Sequence, residues 1–168
     1  MQKGENIIIF QNRTVTLNND LLGHSGWGFK LADGSWLFGS KEATPDLFKG
    51  HFPGTIPNGA PNGVFIKRVD FQTMIHLLSK GGQSNGPIFN YHEYKLLSFP
   101  NPDENAGVAA AKKSKNEGYG VIGNNCMDSV YRIITAYVRG DGNFLPWPST
   151  HPFPNHFFDD IKATKMKF

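Results

Sequence analysis

Residues 23–40, GHSGWGFKLADGSWLFGS, constrain the fold of this chain more than any other segment. Aromatic residues alternate with small or polar residues on both sides of the dipeptide Asp33-Gly34. A period of two is typical of a strand with one buried face, and Asp-Gly is a frequent two-residue turn between antiparallel strands. The segment therefore predicts a β-hairpin with strands over residues 25–31 and 35–39.

Two further segments have the composition of strands. Residues 7–17 are rich in β-branched side chains, and the polar run at residues 18–20 predicts a turn after them. Residues 90–99 alternate between apolar and polar side chains. Together with the hairpin, these segments give four predicted strands.

Two segments have the apolar spacing and the end residues of helices. Residues 71–80 carry apolar side chains at helical spacing, and Asp70 is a suitable N-cap. In the second segment Asn101 is the expected N-cap and Gly118 the expected end, with acidic residues near the start and lysines near the end. The chain therefore combines strands with helices.

Two long segments lack a clear period. Residues 43–64 are rich in proline, glycine and asparagine, which predicts a long surface loop. The tail over residues 140–168 is rich in proline and aromatic residues, and we expect it to wrap over the surface before a last short helix. No linker or repeat divides the chain, so 168 residues predict a single domain over residues 1–168.

Cys126 is the only cysteine, and it lies between a Gly-Asn-Asn turn and a third segment of helical periodicity. The first turn of a helix offers free N–H groups and the positive end of the helix dipole, which favour a thiolate and could also form an oxyanion hole. A lone cysteine is also often a small buried packing residue. The residues alone leave both interpretations open, and one cysteine excludes an internal disulfide.

A nucleophilic cysteine needs a histidine base, and six histidines compete for that role. His24 begins the first predicted strand of the hairpin. The others are in proline-rich loops, on the solvent side of the first helix, in a strand and in the tail: His51, His151, His76, His92 and His156. Periodicity alone does not choose among them.

Charge and ligand spacing argue against two kinds of partner. The formal net charge is only +3, and the basic runs at residues 112–115 and 162–167 are interpreted as solvated surface, so no nucleic-acid partner is expected. One cysteine and scattered histidines lack the spacing of metal ligands, so neither a metal nor another cofactor is expected.

Membrane and export segments are also not expected. No apolar run approaches the ~18 residues of a transmembrane helix. The apolar run at residues 7–10 is too short for the core of a signal peptide. We therefore expect a protein that is cytoplasmic as made and that leaves the cell, where it does so, by a specialised route or on a larger partner.

Two segments together resemble a known family. The hairpin GHSGWGFKLADGSWLFGS comes first, and EGYGVIGNNCMDSVYRIITAY, in which Asn-Cys opens a helix, comes much later. Their motifs and order resemble the circularly permuted NlpC-like branch of the papain-like fold. That branch includes lecithin:retinol acyltransferase-like proteins and C-terminal domains of Rhs-type polymorphic toxins. The resemblance covers residues 20–40 and 90–138.

The resemblance implies an α+β fold in which an antiparallel sheet packs against a central Cys-bearing helix and one or two further helices. It implies that Cys126 is the nucleophile, as a thiolate, and that His24 is the general base and then acid. Asn125 and the upstream Tyr119 are the family's usual marks, with oxyanion or positioning roles.

The family's third residue, often a second histidine on the return strand, has no match in this chain. Ser40 or Glu42 lies near that position and is the candidate to orient the imidazole of His24.

The resemblance favours a thiol hydrolase of the cysteine peptidase or amidase type that acts on peptide, amide or ester bonds. It also suggests a bacterial toxin or effector domain that works beside a larger delivery protein or a cognate inhibitor. One alternative is a lipid-directed thiol acyltransferase or phospholipase. Another is a catalytically inactive papain-like binding module, which the missing second histidine favours.

Overall fold

The computed structural model describes residues 4–17, 20–151 and 153–168. Its strands are β1 (Ile7–Asn12), β2 (Thr16–Leu17), β3 (Asp20–Leu21), β4 (His24–Lys30), β5 (Trp36–Lys41), β6 (Thr55–Ile56), β7 (Val64–Val69), β8 (Glu93–Leu97), β9 (Tyr119–Gly120) and β10 (Lys165–Lys167). Its α-helices are α1 (Phe71–Lys80), α2 (Glu104–Ser114), α3 (Cys126–Tyr137) and α4 (Pro154–Asp160). Short 3₁₀ helices cover Pro45–Phe48 and Pro148–Thr150.

A six-stranded sheet in the order β10-β8-β1-β4-β5-β7 is the centre of the fold, and all its neighbouring strands are antiparallel. Two small sheets, β2–β3 and β6–β9, lie outside it. The described residues therefore form an α+β fold with an antiparallel sheet and four α-helices, as the sequence predicted in outline.

The predicted hairpin is β4 and β5, and its aromatic residues point to opposite faces of the sheet. Trp27 lies opposite Gly39, and Phe38 lies opposite Gly28. A Cβ at Gly39 would lie 2.9 Å from the Trp27 ring, and one at Gly28 would lie 3.0 Å from Phe38. Gly39 therefore leaves room for the Trp27 ring, and Gly28 leaves room for the side chains of Ile8 and Phe38 on its two neighbouring strands.

The two faces of the sheet carry separate hydrophobic clusters. On one face Ile7, Ile9, Trp27 and Phe29 pack with apolar residues of α2, α3 and α4. The other face packs against α1, and its cluster contains Ile8, Phe10, Trp36, Phe38, Met74 and Leu78. Alternation along each strand therefore directs some apolar side chains towards α2, α3 and α4 and the others towards α1.

Helix α3 packs against β4 through the apolar face expected from its periodicity. Val130, Ile133 and Tyr137 are buried. The Tyr137 ring stacks on Phe29 at 4.5 Å, and its hydroxyl donates to the Lys30 carbonyl at 2.8 Å. These contacts fix the helix on the strand that begins with His24.

The start and end predicted for the second helix are wrong. Asp103, not Asn101, is the N-cap of α2, because its carboxylate accepts a 2.9 Å hydrogen bond from the Ala106 N–H. Asn101 has φ 53°, in the left-handed region. The helix ends at Ser114, four residues before Gly118.

Several segments have more regular structure than expected. Residues 43–64 contain a 3₁₀ helix and β6, and their last residue begins β7, an edge strand that the sequence analysis missed. The tail forms α4 and then β10, which pairs with β8. The strand predicted over residues 7–17 is divided into β1 and β2, and most of the turn predicted at residues 18–20 lies outside the described residues.

Within the described residues, no helix is both long and apolar enough to span a bilayer.

Candidate active site

Cys126 is the first residue of α3, and the residue before it caps the helix. The Asn125 side chain accepts hydrogen bonds from the N–H groups of Met127 at 2.9 Å and Asp128 at 3.2 Å. The Asp128 carboxylate in turn accepts from the Asn125 N–H at 3.0 Å, which completes a capping box. Asn125 therefore fixes where α3 begins and so places Cys126 in its first turn.

Cys126 is buried, with only 3% of the residue exposed. Burial raises its pKa to about 11, although hydrogen bonds from the N–H groups of Ser25 and Met127 act in the opposite direction. The resting group is therefore a protonated thiol near neutral pH, and burial opposes the thiolate that the family resemblance implies.

His24 is the first residue of β4, and its Nε2 lies 2.7 Å from Ser40 Oγ. The Ser40 hydroxyl donates to the Ser25 carbonyl at 3.0 Å, so its oxygen is the acceptor for an Nε2–H group. This tautomer leaves a lone pair on Nδ1, which has no hydrogen-bond partner among the described residues. Burial lowers the pKa of His24 to about 3, so the imidazole is neutral.

Ser40, rather than Glu42, is the hydrogen-bond partner of His24. The Glu42 carboxylate accepts from the Tyr91 hydroxyl and the Ile88 N–H, each at 2.6 Å, and burial raises its pKa to about 7. Glu42 therefore makes no hydrogen bond to the imidazole and instead holds Tyr91, whose ring lies beside it.

The segment that Glu42 holds forms one wall around His24. The Phe89 ring meets the imidazole edge to face at 5.0 Å, and the Tyr91 ring lies 6.1 Å from it. Neither aromatic residue was predicted to belong to the site. Tyr91 falls in the strand predicted over residues 90–99, but β8 begins only at Glu93, and only the tertiary structure brings both rings to His24.

Tyr119 belongs to β9, which pairs with β6. Its ring meets Phe48 edge to face at 5.3 Å, and burial raises its pKa well above the usual range. Tyr119 therefore contributes a wall to the site and is not an ionised group near neutral pH.

Cys126, His24, Asn125 and Tyr119 all line one cavity of about 450 Å³ at the end of the sheet where β4 begins. The remaining lining is mostly apolar: Val15, Thr16, Leu22, Gly23, Ala43, Phe48, Phe89, Val121, Ile122, Phe153 and Pro154. His24 alone among the six histidines lines this cavity. The structure therefore brings together four of the six candidate residues. A fifth, Ser40, is hydrogen-bonded to His24.

The two central residues reach the cavity from opposite faces of the sheet. Alternation along β4 places Ser25 on the face covered by α3 and His24 on the face of Tyr91. No hydrogen bond joins Cys126 to His24. Both residues line the cavity, so a ligand bound there could contact the thiol and the imidazole together.

A larger cavity of about 860 Å³ lies at the opposite end of the sheet. Its lining includes Leu96, Leu97, Phe99 and Phe144 but none of the candidate residues. The described residues contain no group of three or more His, Cys, Asp or Glu side chains that could hold a metal ion. The Cys126 cavity is therefore the candidate active site.

Comparison with known proteins does not assign the chain to a family. No family model matches it, and neither the curated proteins nor the solved structures gave a match. The residues and geometry of the site are therefore the only guide to its function.

Proposed function

We propose that this chain is a thiol hydrolase of the cysteine peptidase or amidase type, built on a papain-like scaffold of the permuted NlpC-like branch. Cys126 is the nucleophile and His24 is the general base. One observation carries the proposal: both side chains line the same cavity, while Ser40 holds Nε2 of the imidazole and leaves the Nδ1 lone pair available.

The burial of both groups determines how the proton moves. Because the thiol and the imidazole are both neutral at rest, His24 Nδ1 accepts the thiol proton as Sγ attacks the substrate carbonyl carbon. The new carbon–sulfur bond places the carbonyl electron pair on oxygen, where the N–H of Cys126 at the positive end of α3 can stabilise it.

Collapse of that intermediate breaks the bond to the leaving group, which takes the proton from the His24 imidazolium. The product is an acyl group on Cys126. Water then attacks the thioester with His24 as base, and the carboxylic acid leaves as the thiol is restored. Every step uses only the substrate, water and these two side chains.

The walls of the cavity indicate the kind of substrate. They contain many aliphatic and aromatic side chains, and His24 adds a neutral imidazole among them. This favours a peptide, isopeptide or ester carbonyl with an apolar group beside it.

Covalent labelling tests the proposal directly. The protein is incubated with a peptidyl chloromethyl ketone that carries an apolar residue next to the reactive carbon, and the adduct is followed by intact mass. We expect one adduct on Cys126, none in Cys126→Ser and much slower formation in His24→Ala. Equal labelling rates with and without His24 would contradict the Cys–His pair and leave a binding module as the better explanation.

A lipid-directed thiol acyltransferase or phospholipase is the second candidate. It is supported by two apolar side chains that line the cavity and are exposed, Ile122 at 95% and Phe153 at 42%. Incubation with phosphatidylcholine vesicles tests it. A fatty acyl mass added to Cys126, with release of the lysolipid, supports this candidate, and its absence beside turnover of an amide substrate supports the first.

The proposed toxin or effector role rests on the family resemblance alone. Expression in bacteria of the wild-type chain and of Cys126→Ala tests it by growth. Growth inhibition that needs Cys126 supports a toxin, while equal growth of both strains contradicts it.

A further inference from the structure

Lys41 is a fully buried charged side chain close to the site. Its Nζ donates to the Gly118 carbonyl and to Asn124 Oδ1, each at 3.0 Å. A buried ammonium is costly unless it is well hydrogen-bonded, so these two contacts hold Lys41 in one position.

Both acceptors of Lys41 belong to the turn over residues 118–124, which leads into α3. The Asn124 side chain also donates to the Gly118 carbonyl at 2.9 Å, and the Gly120 N–H donates to the Asn124 carbonyl at 3.1 Å. The next residue, Asn125, is the N-cap of α3. Lys41 therefore ties the central sheet to the turn that presents Cys126.

The position of Lys41 on its strand connects the two halves of the site. Ser40, Lys41 and Glu42 are consecutive and buried. Ser40 is hydrogen-bonded to His24, and Glu42 is hydrogen-bonded to Tyr91, on the face of the sheet that carries the imidazole. Lys41 points to the opposite face, where α3 lies. One short segment thus supports both the base and the nucleophile.

The main electrostatic partners of Lys41 are Arg132, Glu117, Cys126 and Asp128. Arg132 binds the same Asn124 Oδ1 from the solvent side at 2.9 Å and pairs with Glu117 at 3.0 Å. Lys41 also interacts electrostatically with Asp128 and with Cys126, so the ammonium and a Cys126 thiolate would attract each other. Burial is the main reason that the pKa of Lys41 falls, to about 8, and the side chain is mostly charged at pH 7.

Four other titratable groups in the described part of the chain lie near Cys126, and none of the four carries a positive charge at pH 7. Tyr119 and Tyr91 interact with Cys126 electrostatically, and burial raises the pKa of both. His24 is neutral because burial lowers its pKa. Asp128 in the capping box disfavours the thiolate.

We infer that Lys41 is a positioning residue for Cys126, which fixes the turn before α3 and places a buried positive charge where it favours the thiolate. The inference rests on the proposed thiol chemistry. It adds a group that Cys126 depends on but that need not touch the substrate.

The test is the rate of Cys126 alkylation by iodoacetamide between pH 6 and pH 10, without substrate. Lys41→Met removes the charge, and Lys41→Gln removes it but keeps a donor for the turn. Lys95→Met is the matched control, because Lys95 is also buried and donates to three backbone carbonyls, of Phe158, Asp159 and Ile161. Far-UV circular dichroism checks that each variant is folded.

We expect both Lys41 variants to alkylate about tenfold more slowly than wild type at pH 7, equivalent to one unit in the thiol pKa. The wild-type rate should rise by less than tenfold per pH unit around pH 8, because Lys41 loses its charge there while the thiol is still protonated. Lys95→Met should keep the wild-type profile.

An unchanged rate at pH 7 in a folded Lys41 variant, or an equal slowing in Lys95→Met, would overturn the inference. If neither Lys41 variant folds, the pH dependence of alkylation in the wild-type protein is the test. An alkylation rate that rises by a constant tenfold per pH unit through pH 8 would overturn the inference. Alkylation needs neither substrate nor His24. Failure here is therefore distinct from failure of the proposed hydrolase, which the covalent labelling of Cys126 and His24→Ala would reveal.

Discussion

His24 Nε2 and Ser40 Oγ lie 2.7 Å apart, and the direction of this hydrogen bond is fixed by a second one. The Ser40 hydroxyl donates to the Ser25 carbonyl at 3.0 Å, so it accepts from the imidazole. In the proposed hydrolase, a serine would thereby take the place of the charged or imidazole group that commonly orients a catalytic histidine. It fixes the ring but adds no negative charge, and the Glu42 carboxylate lies behind Tyr91.

Ser40→Ala should disturb the proposed chemistry much more than the fold. Loss of the acceptor frees the imidazole to rotate or to change tautomer, so we expect labelling of Cys126 by the chloromethyl ketone to slow by about 10- to 100-fold. The free energy of unfolding should fall by only about 1 kcal/mol, the usual contribution of one buried hydrogen bond.

The control for that change is Ser114→Ala. Ser114 is also buried, and its hydroxyl donates to the Ala111 carbonyl at 2.6 Å, away from the cavity. It should lose similar stability in urea unfolding but keep the wild-type labelling rate. Equal labelling by Ser40→Ala and Ser114→Ala would mean that Ser40 does not orient the base.

Cys126 should react slowly with iodoacetamide near neutral pH. Burial raises the pKa of the thiol to about 11, and His24 is too weak a base at rest to take its proton. We expect a rate on the order of 100-fold below that of free cysteine at pH 7, rising through pH 10. A rate that reaches its plateau below pH 7 would show a preformed thiolate–imidazolium pair instead.

Local signals in the sequence were sufficient for several elements. Asp70 caps α1 with its carboxylate on the Thr73 N–H, and the Gly-Asn-Asn turn ends in the N-cap of α3. These predictions succeeded because a cap and its first turn involve neighbouring residues only. The prediction of Asn101 as the N-cap of α2 was wrong because Asp103, two residues later, is an equally suitable cap.

Elements that depend on distant partners were not predicted. The three residues of β10 become a strand only because β8 is beside them, and β7 follows a proline-rich segment that hides its pattern. The choice of Ser40 over Glu42 also depends on tertiary structure, since both side chains point to the same face of the sheet. Burial of Cys126 depends on the walls of the cavity, whereas its position at a helix N-terminus is visible locally and suggests the opposite pKa shift.

His24 should make the protein less stable in acid. Its pKa is about 3 in the folded state and 6.5 when unperturbed, so the unfolded chain binds more protons between these values. Stability from this group is therefore present above pH 6.5 and is lost as the pH falls towards 3. In His24→Asn, the slope of the unfolding free energy against pH should be smaller over this range. The difference in slope should correspond to up to about one bound proton.

Urea unfolding of wild type and His24→Asn at several pH values between 4 and 6.5 measures that difference. Glu42 acts in the opposite direction, because burial raises its pKa to about 7 and the folded state retains its proton longer. It is present in both proteins, so the comparison isolates His24. Identical slopes in the two proteins would show that the imidazole is not kept neutral by burial.

Asn125→Ala should affect both the stability of α3 and the reactivity of its first residue. Removal of the cap leaves the Met127 and Asp128 N–H groups without their side-chain acceptor and should cost about 1 kcal/mol. Asp103→Ala removes the equivalent N-cap of α2 and should cost a similar amount of stability.

Only the change at Asn125 alters the helix turn that holds Cys126. Labelling of the thiol should therefore slow in Asn125→Ala and stay unchanged in Asp103→Ala. Intact-mass kinetics and thermal unfolding on the two variants measure both quantities, and a parallel loss of labelling in Asp103→Ala would attribute the effect to general destabilisation instead of to the cap.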